Sequence, residues 1–134
     1  MDWSERYTTP LTAVWSRAHK LSLEHRVESA LVTALASIGR CPAAAADDVA
    51  GAVARGAATL ERTLAIEAET HHDIMAMVKA LSEQCPVGGG FVHYGATSQV
   101  RGGVAERLAS AFFTGDLSRA VTQRLICTLP TGCQ

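Results

Sequence analysis

Apolar residues recur at helical spacing through most of this chain, and glycine and proline cut the pattern into short lengths. Leu11, Val14, Trp15, Ala18 and Leu21 form one stripe, as the 3.6-residue period of an amphipathic helix requires. The stripe then changes phase and resumes at Leu23, Val27, Ala30, Leu31, Ala34, Leu35 and Ile38. This predicts two helices, or one kinked helix, with the break near residues 20–22. Pro10 suits a first helical turn, with Thr8 or Thr9 as its N-cap. Gly39 suits the position just past a helix end, and Pro42 stands where helices stop. Hydrophobic residues make up 48% of the 134, a figure raised by alanine, while aromatics are only 5%. Such a composition favours close-packed helices over a β-sandwich. The predicted fold class is all-α, a small multi-helix domain of a size that can bury a core.

The remaining segments are read the same way. Residues 43–56 are alanine-rich and predict a short helix carrying Val49 and Val53, capped by Asp47 or Asp48 and weakened by Gly51 and Gly56. Residues 59–62 start another, with Leu64; Glu67 and Glu69 fall at its end, where the helix dipole disfavours them. A central helix is predicted over 70–84, capped by Thr70 with Asp73 three residues on, and with Ile74, Met77, Val78 and Leu81 as its apolar stripe. Residues 86–90 form a loop, and 91–94 a short extended piece leading into a turn at Gly95-Ala96-Thr97-Ser98. Beyond Ser98, Gly102-Gly103 interrupts; Val104, Leu108, Ala111 and Phe112 suggest one helix, and Leu117, Val121 and Leu125 another capped by Asp116.

Charge and cysteine usage narrow the function classes. Net charge is −1 and the lysines and arginines are scattered, which leaves no electrostatic footprint for nucleic acid or acidic lipid. Cys41, Cys85, Cys127 and Cys133 form no Cys-x-x-Cys pair. With a polar N-terminus in place of a secretory leader they are expected to be free thiols in a reducing compartment. No window is long and apolar enough to cross a bilayer. A cytoplasmic location is the expectation.

The chemistry-bearing residues concentrate in residues 69–98. His71 and His72 are neighbours about 100° apart on a helix, so they cannot share a face. On structural grounds one is a surface side chain and the other a partner for Glu69 or Asp73. On functional grounds, an imidazole at a helix N-terminus faces an anion. No third ligand is placed to complete a zinc site. His93 precedes Gly95, which lets backbone approach a ligand; a buried histidine bonded to backbone is the plainer alternative. Thr97 and Ser98 suit an N-cap or a carboxylate site equally. Arg6 and Tyr7 suit an exposed arm, or a phosphate contact through the planar guanidinium fork.

Taken together, Glu69-Thr70-His71-His72-Asp73 followed about twenty residues later by Val92-His93-Tyr94-Gly95-Ala96-Thr97-Ser98 resembles the first domain of adenylosuccinate lyases, in the fumarase/aspartase superfamily. The opening Ser4-Glu5-Arg6-Tyr7-Thr8-Thr9-Pro10 is similar to that family's start. The resemblance implies catalytic roles for His72, His93 and Asp73. It implies substrate contacts for Arg6 and Tyr7 at a nucleotide phosphate, for Thr97 and Ser98 at succinyl carboxylates, and for His71 beside them. The implied partner is a succinylamino purine nucleotide, from which fumarate is eliminated, giving AMP from adenylosuccinate, by general acid–base catalysis without metal or organic cofactor. Full-length members form homotetramers whose active sites draw on several subunits.

The resemblance covers about residues 4–99. The family continues Thr-Ser-x-Asp-Val-x-Asp-Thr-Ala into a long bundle helix, whereas here Gln99 is followed by Val100-Arg101-Gly102-Gly103. The later catalytic histidine, the Ser-Ser-x-Met-Pro-x-Lys loop and the central bundle are not in this sequence. Two regions are therefore expected: an adenylosuccinate-lyase-type N-terminal domain over 1–99, and a divergent tail over 100–134, helical or poorly ordered. A frameshift or gene break would explain the change, and such a chain is expected to be inactive alone. Two competing readings are an argininosuccinate lyase or carboxymuconate cycloisomerase relative, and a non-catalytic helical interaction domain with an exposed apolar face.

Overall fold

The computed structural model describes residues 12–96. Readings that fall on Arg6, Tyr7, Pro10, Thr97, Ser98, the helices after Ser98, Cys127 and Cys133 lie outside the described residues. Within them are a 3-10 turn at Thr12–Trp15, then α1 (Arg17–Ser37), α2 (Ala43–Ala54), α3 (Leu60–Thr70), α4 (Asp73–Ser82) and a second 3-10 turn at Gly89–Phe91. There is no strand among the described residues, in agreement with the all-α expectation.

The break expected near residues 20–22 is absent. It comes earlier, at Ser16, whose hydroxyl accepts the His19 N–H at 3.2 Å and caps α1. The phase change needs no kink because α1 is covered on a broad face: Leu21, Leu23, Val27, Leu31, Val32 and Leu35 are all buried. Glu24, His25 and Glu28 are buried on the same helix.

α1 and α2 end in the same way. The N–H of Gly39 donates to the Ala36 carbonyl and that of Arg40 to the Leu35 carbonyl; Gly56 and Ala57 repeat the pattern on Val53 and Ala52. These paired bonds satisfy the last carbonyls of each helix and require a left-handed residue between them. Gly39 (φ 71°) and Gly56 (φ 60°) supply it.

α2 begins directly after Pro42, which fixes its N-terminus; Asp47 and Asp48 lie inside the helix and cap nothing there. Asp48 instead reaches the glycine loop. Its Oδ2 accepts the N–H groups of Val87 and Gly88 at 2.8 and 2.9 Å.

α3 and α4 form an antiparallel hairpin. Thr59 caps α3 by accepting the Arg62 N–H. Arg62 then clasps Glu83, just past α4, through two parallel bonds of 2.9 Å. That bond holds the Glu83 carboxyl below its usual range, and the same contact raises the Arg62 guanidinium. Glu67, misplaced by the dipole argument, is paired with Arg17 of α1 at 2.7 Å. The central helix is shorter than expected: it starts at Asp73, and Thr70 belongs to the end of α3.

One core joins these pieces. Val32, Val49, Ala52, Ile66, Ala76, Met77, Ala80 and Leu81 are almost wholly inaccessible. On α4 the buried face runs through Ala76, Met77, Ala80 and Leu81, while Ile74 and Val78 are only half-buried. The small alanines let neighbouring helices approach, so the face centres on them and not on the bulkiest stripe. Cys41 and Cys85 are free and buried; burial pushes the Cys85 thiol up, with Asp48 adding to the shift.

Candidate active site

The chain turns from α3 into α4 within two residues, and both are histidines. Thr70 ends α3, its hydroxyl donating to the Ile66 carbonyl at 3.0 Å. His71 follows in the left-handed region (φ 52°), with its N–H on the Glu67 carbonyl at 2.8 Å. His72 is extended and caps α4: its Nδ1 accepts the Met75 N–H at 3.2 Å. Only an unprotonated Nδ1 accepts, so the capping ring carries its proton on Nε2. Asp73 Oδ1 lies 3.9 Å from the same Nδ1. Two acceptors face each other there, and the shorter capping bond defines the state of the ring. The Asp73 carboxylate instead accepts the Ile74 N–H at 2.7 Å, in the first turn, where a negative charge is favoured. His71, His72 and Asp73 are all exposed. His72 is thus held by backbone, with Asp73 as its longer, 3.9 Å carboxylate neighbour.

His93 is held differently. Residues 91–94 form a turn, not the expected extended piece. Phe91 ends a 3-10 turn and His93 has φ 63°. The cause is Glu28, in the middle of α1 and 1% exposed. One oxygen accepts the His93 backbone N–H at 2.8 Å, and the other lies 2.8 Å from Nδ1. A left-handed residue other than glycine costs about 1–2 kcal/mol, whereas hydrogen bonds to a charged group contribute about 1.5–3 kcal/mol each. The pair of bonds outweighs the backbone strain.

His71 and His93 are the only non-glycine residues with positive φ among the described residues. Backbone strain of this kind gathers at functional positions. Sequence reasoning found all three histidines but missed Glu28. The signal was present: Glu24, Glu28, Leu31 and Leu35 share one face of α1, and a carboxylate on a buried face needs a partner.

Among the described residues no hydrogen bond or ion pair joins His72 to His93; the first is tied to the start of α4, the second to α1. Depressions flank the helices among the described residues. One of about 310 Å³ lies between Ala18, Leu21, His25, Val53 and Leu60. Another, a shallow one of about 440 Å³, is lined by Leu64, Glu67, Ala68 and His71. Neither includes His72, Asp73 or His93. No group of three His, Cys, Asp or Glu side chains able to hold a metal occurs among the described residues, and no described helix is long and apolar enough to cross a membrane.

The sequence comparisons match this segment with lyases. An adenylosuccinate lyase of Methanothermobacter thermautotrophicus is 43% identical over 95 residues, covering 69% of this chain and 21% of that protein. The chain carries an adenylosuccinate-lyase-type N-terminal segment. The adenylosuccinate lyase of Pyrococcus abyssi is 47% identical over 85 residues, 63% of this chain and 19% of the relative. An N-acetyl-S-(2-succino)cysteine lyase of Dickeya dadantii is 32% identical over 92 residues, 69% of this chain and 20% of its own length. This adenylosuccinate-lyase-type chain therefore spans about one fifth of the length of the curated relatives it matches. No family model matches it, and no solved structure matches it significantly.

Proposed function

We propose that this chain forms one wall of an adenylosuccinate-lyase-type active site, for a succinylamino purine nucleotide. The observation that carries the reading is that both lyase-like motifs hold a histidine in the left-handed backbone region, His71 in the first and His93 in the second, in a segment similar to named lyases. In this reading His72 and His93 are the imidazoles offered to the substrate, and Asp73 sets the charge beside His72. Arg6 and Tyr7 contact the phosphate; Thr97, Ser98 and His71 contact the succinyl carboxylates. The reaction is the elimination of fumarate: a base removes a carbon-bound proton, a carboxylate-stabilised carbanion forms, and an acid protonates the leaving nitrogen. The general base and the remaining walls come from further chain or from other subunits of a homotetramer, so this chain alone releases no fumarate.

Limited proteolysis with and without AMP tests the reading. AMP is expected to protect residues 69–98 specifically, and a cleavage pattern indifferent to AMP refutes nucleotide binding by the chain. A second reading, a helical interaction domain, draws on the exposed Trp15, Met75 and Tyr94. An AMP-indifferent monomer would favour it.

A further inference from the structure

We infer that Glu28 is the positioning residue for His93. It holds the ring in the Nδ1–H tautomer, so that Nε2 is the one nitrogen through which His93 gives or takes a proton. The inference adds a residue to the site proposed above and rests on that reading for its catalytic meaning, though not for its geometry.

The geometry leaves the carboxylate little freedom. Glu28 is 1% exposed and both its oxygens face His93, one accepting the backbone N–H and the other lying against Nδ1, both at 2.8 Å. An ionised carboxylate only accepts, so the hydrogen between it and the ring is on Nδ1. A histidine that gives one ring N–H to a carboxylate is fixed in both tautomer and orientation. Here the bond to the His93 N–H also helps hold the backbone at φ 63°. Rotating the ring away would cost this buried carboxylate its contact with Nδ1. The side chain is 19% exposed, so the ring is sheltered but not sealed. His72 shows the opposite arrangement, with Nδ1 bare and engaged by backbone. The two imidazoles are thereby preset as different tautomers, each leaving Nε2 over: a bare nitrogen on His93 and a donor N–H on His72. Such a pair supplies an acceptor and a donor without any proton having to move first.

The test is long-range ¹H–¹⁵N NMR of the full 134-residue chain at a pH where the imidazoles are neutral, with His93 assigned by the loss of its signals in His93→Gln. The wild-type ring is expected to show a protonated Nδ1 and a bare Nε2. In Glu28→Gln the amide oxygen keeps the backbone bond while its NH₂ donates to the ring, so Nδ1 becomes an acceptor and the tautomer inverts. A bare Nδ1 or a fast mixture in wild type overturns the inference, as does an unchanged tautomer in a folded Glu28→Gln. If that variant does not fold, the wild-type spectrum alone decides. Failure of AMP protection with the expected tautomer would sink the lyase reading and leave the Glu28–His93 assignment standing; the reverse result would do the opposite.

Discussion

Gly88 lies against Ala45 so closely that a Cβ at position 88 would stand 2.5 Å from the Ala45 carbonyl oxygen and 2.6 Å from a Val49 methyl. The obstacle is partly helix backbone, which cannot swing aside. Gly88→Ala is therefore expected to lower stability by about 1–3 kcal/mol, the usual cost of overpacking. Gly90 meets no atom within 4 Å, so Gly90→Ala should leave the melting temperature unchanged or slightly raised. Equal thermal shifts in the two variants would show that the loop does not seat on α2 as described.

Asp48 holds the same loop by two backbone N–H groups. Removing a charged acceptor costs about 1–3 kcal/mol where the donors stay buried. Of the two donors only Gly88 is buried, so denaturant titration of Asp48→Ala should show a loss near the lower end of that range, with Asp48→Asn, which keeps an oxygen, losing less. Equal losses in the two variants would mean that charge, not the acceptor, is what the loop requires.

The Arg62–Glu83 clasp links stability to acid. Its hydrogen bond lowers the folded carboxyl below its unfolded value. The contribution is therefore complete above the unfolded carboxylate range and is lost as pH falls through the folded value. Solvent at this surface pair keeps the effect small. Thermal melts from neutral to acid pH should fall less steeply for Glu83→Gln than for wild type; identical slopes would remove the clasp from the account.

Histidine is an uncommon N-cap, and serine at position 72 would accept the Met75 N–H at least as well. His72→Ser is expected to match or exceed the wild-type melting temperature while losing AMP protection. His72→Ala should lose about 0.5–2 kcal/mol. A His72→Ser chain that keeps full AMP protection would separate this imidazole from ligand binding.

Cys85 is 2% exposed, with its thiol pushed up by burial, and the thiolate is the reactive form. Peptide mapping after alkylation at neutral pH should find Cys85 unmodified in the folded chain and modified after denaturation. Prompt labelling under native conditions would contradict the packing of the loop.

The helical architecture was legible because period, glycine and proline act locally. Gly39 ended a helix as residues of its kind do, and Thr59 started one, while Gly56, read only as weakening its helix, ends it in the same way as Gly39. What failed depended on distant partners. The phase change near Lys20 reads as a kink only if α1 has one buried face, and it has a broad one. Asp48 reads as a cap until the loop at Val87 and Gly88 is folded onto it. Residues 91–94 read as extended because Glu28, sixty-five positions away in sequence, carries no local sign of gripping His93. Its place on the buried face of α1 marked Glu28 as needing a partner but not which one, while the histidines themselves stood out by type and spacing.

The left-handed turn at His71 bears on how such a chain would drift under laboratory evolution. Glycine satisfies that conformation without penalty and no hydrogen bond among the described residues holds the imidazole in place, so a screen for heat tolerance alone should let glycine take over position 71. Position 93 should resist, because losing its ring takes one contact from the buried Glu28 carboxylate, and any change there should appear together with one at Glu28. Sequenced survivors of such a screen would distinguish a histidine kept for its ring from one kept by its neighbour.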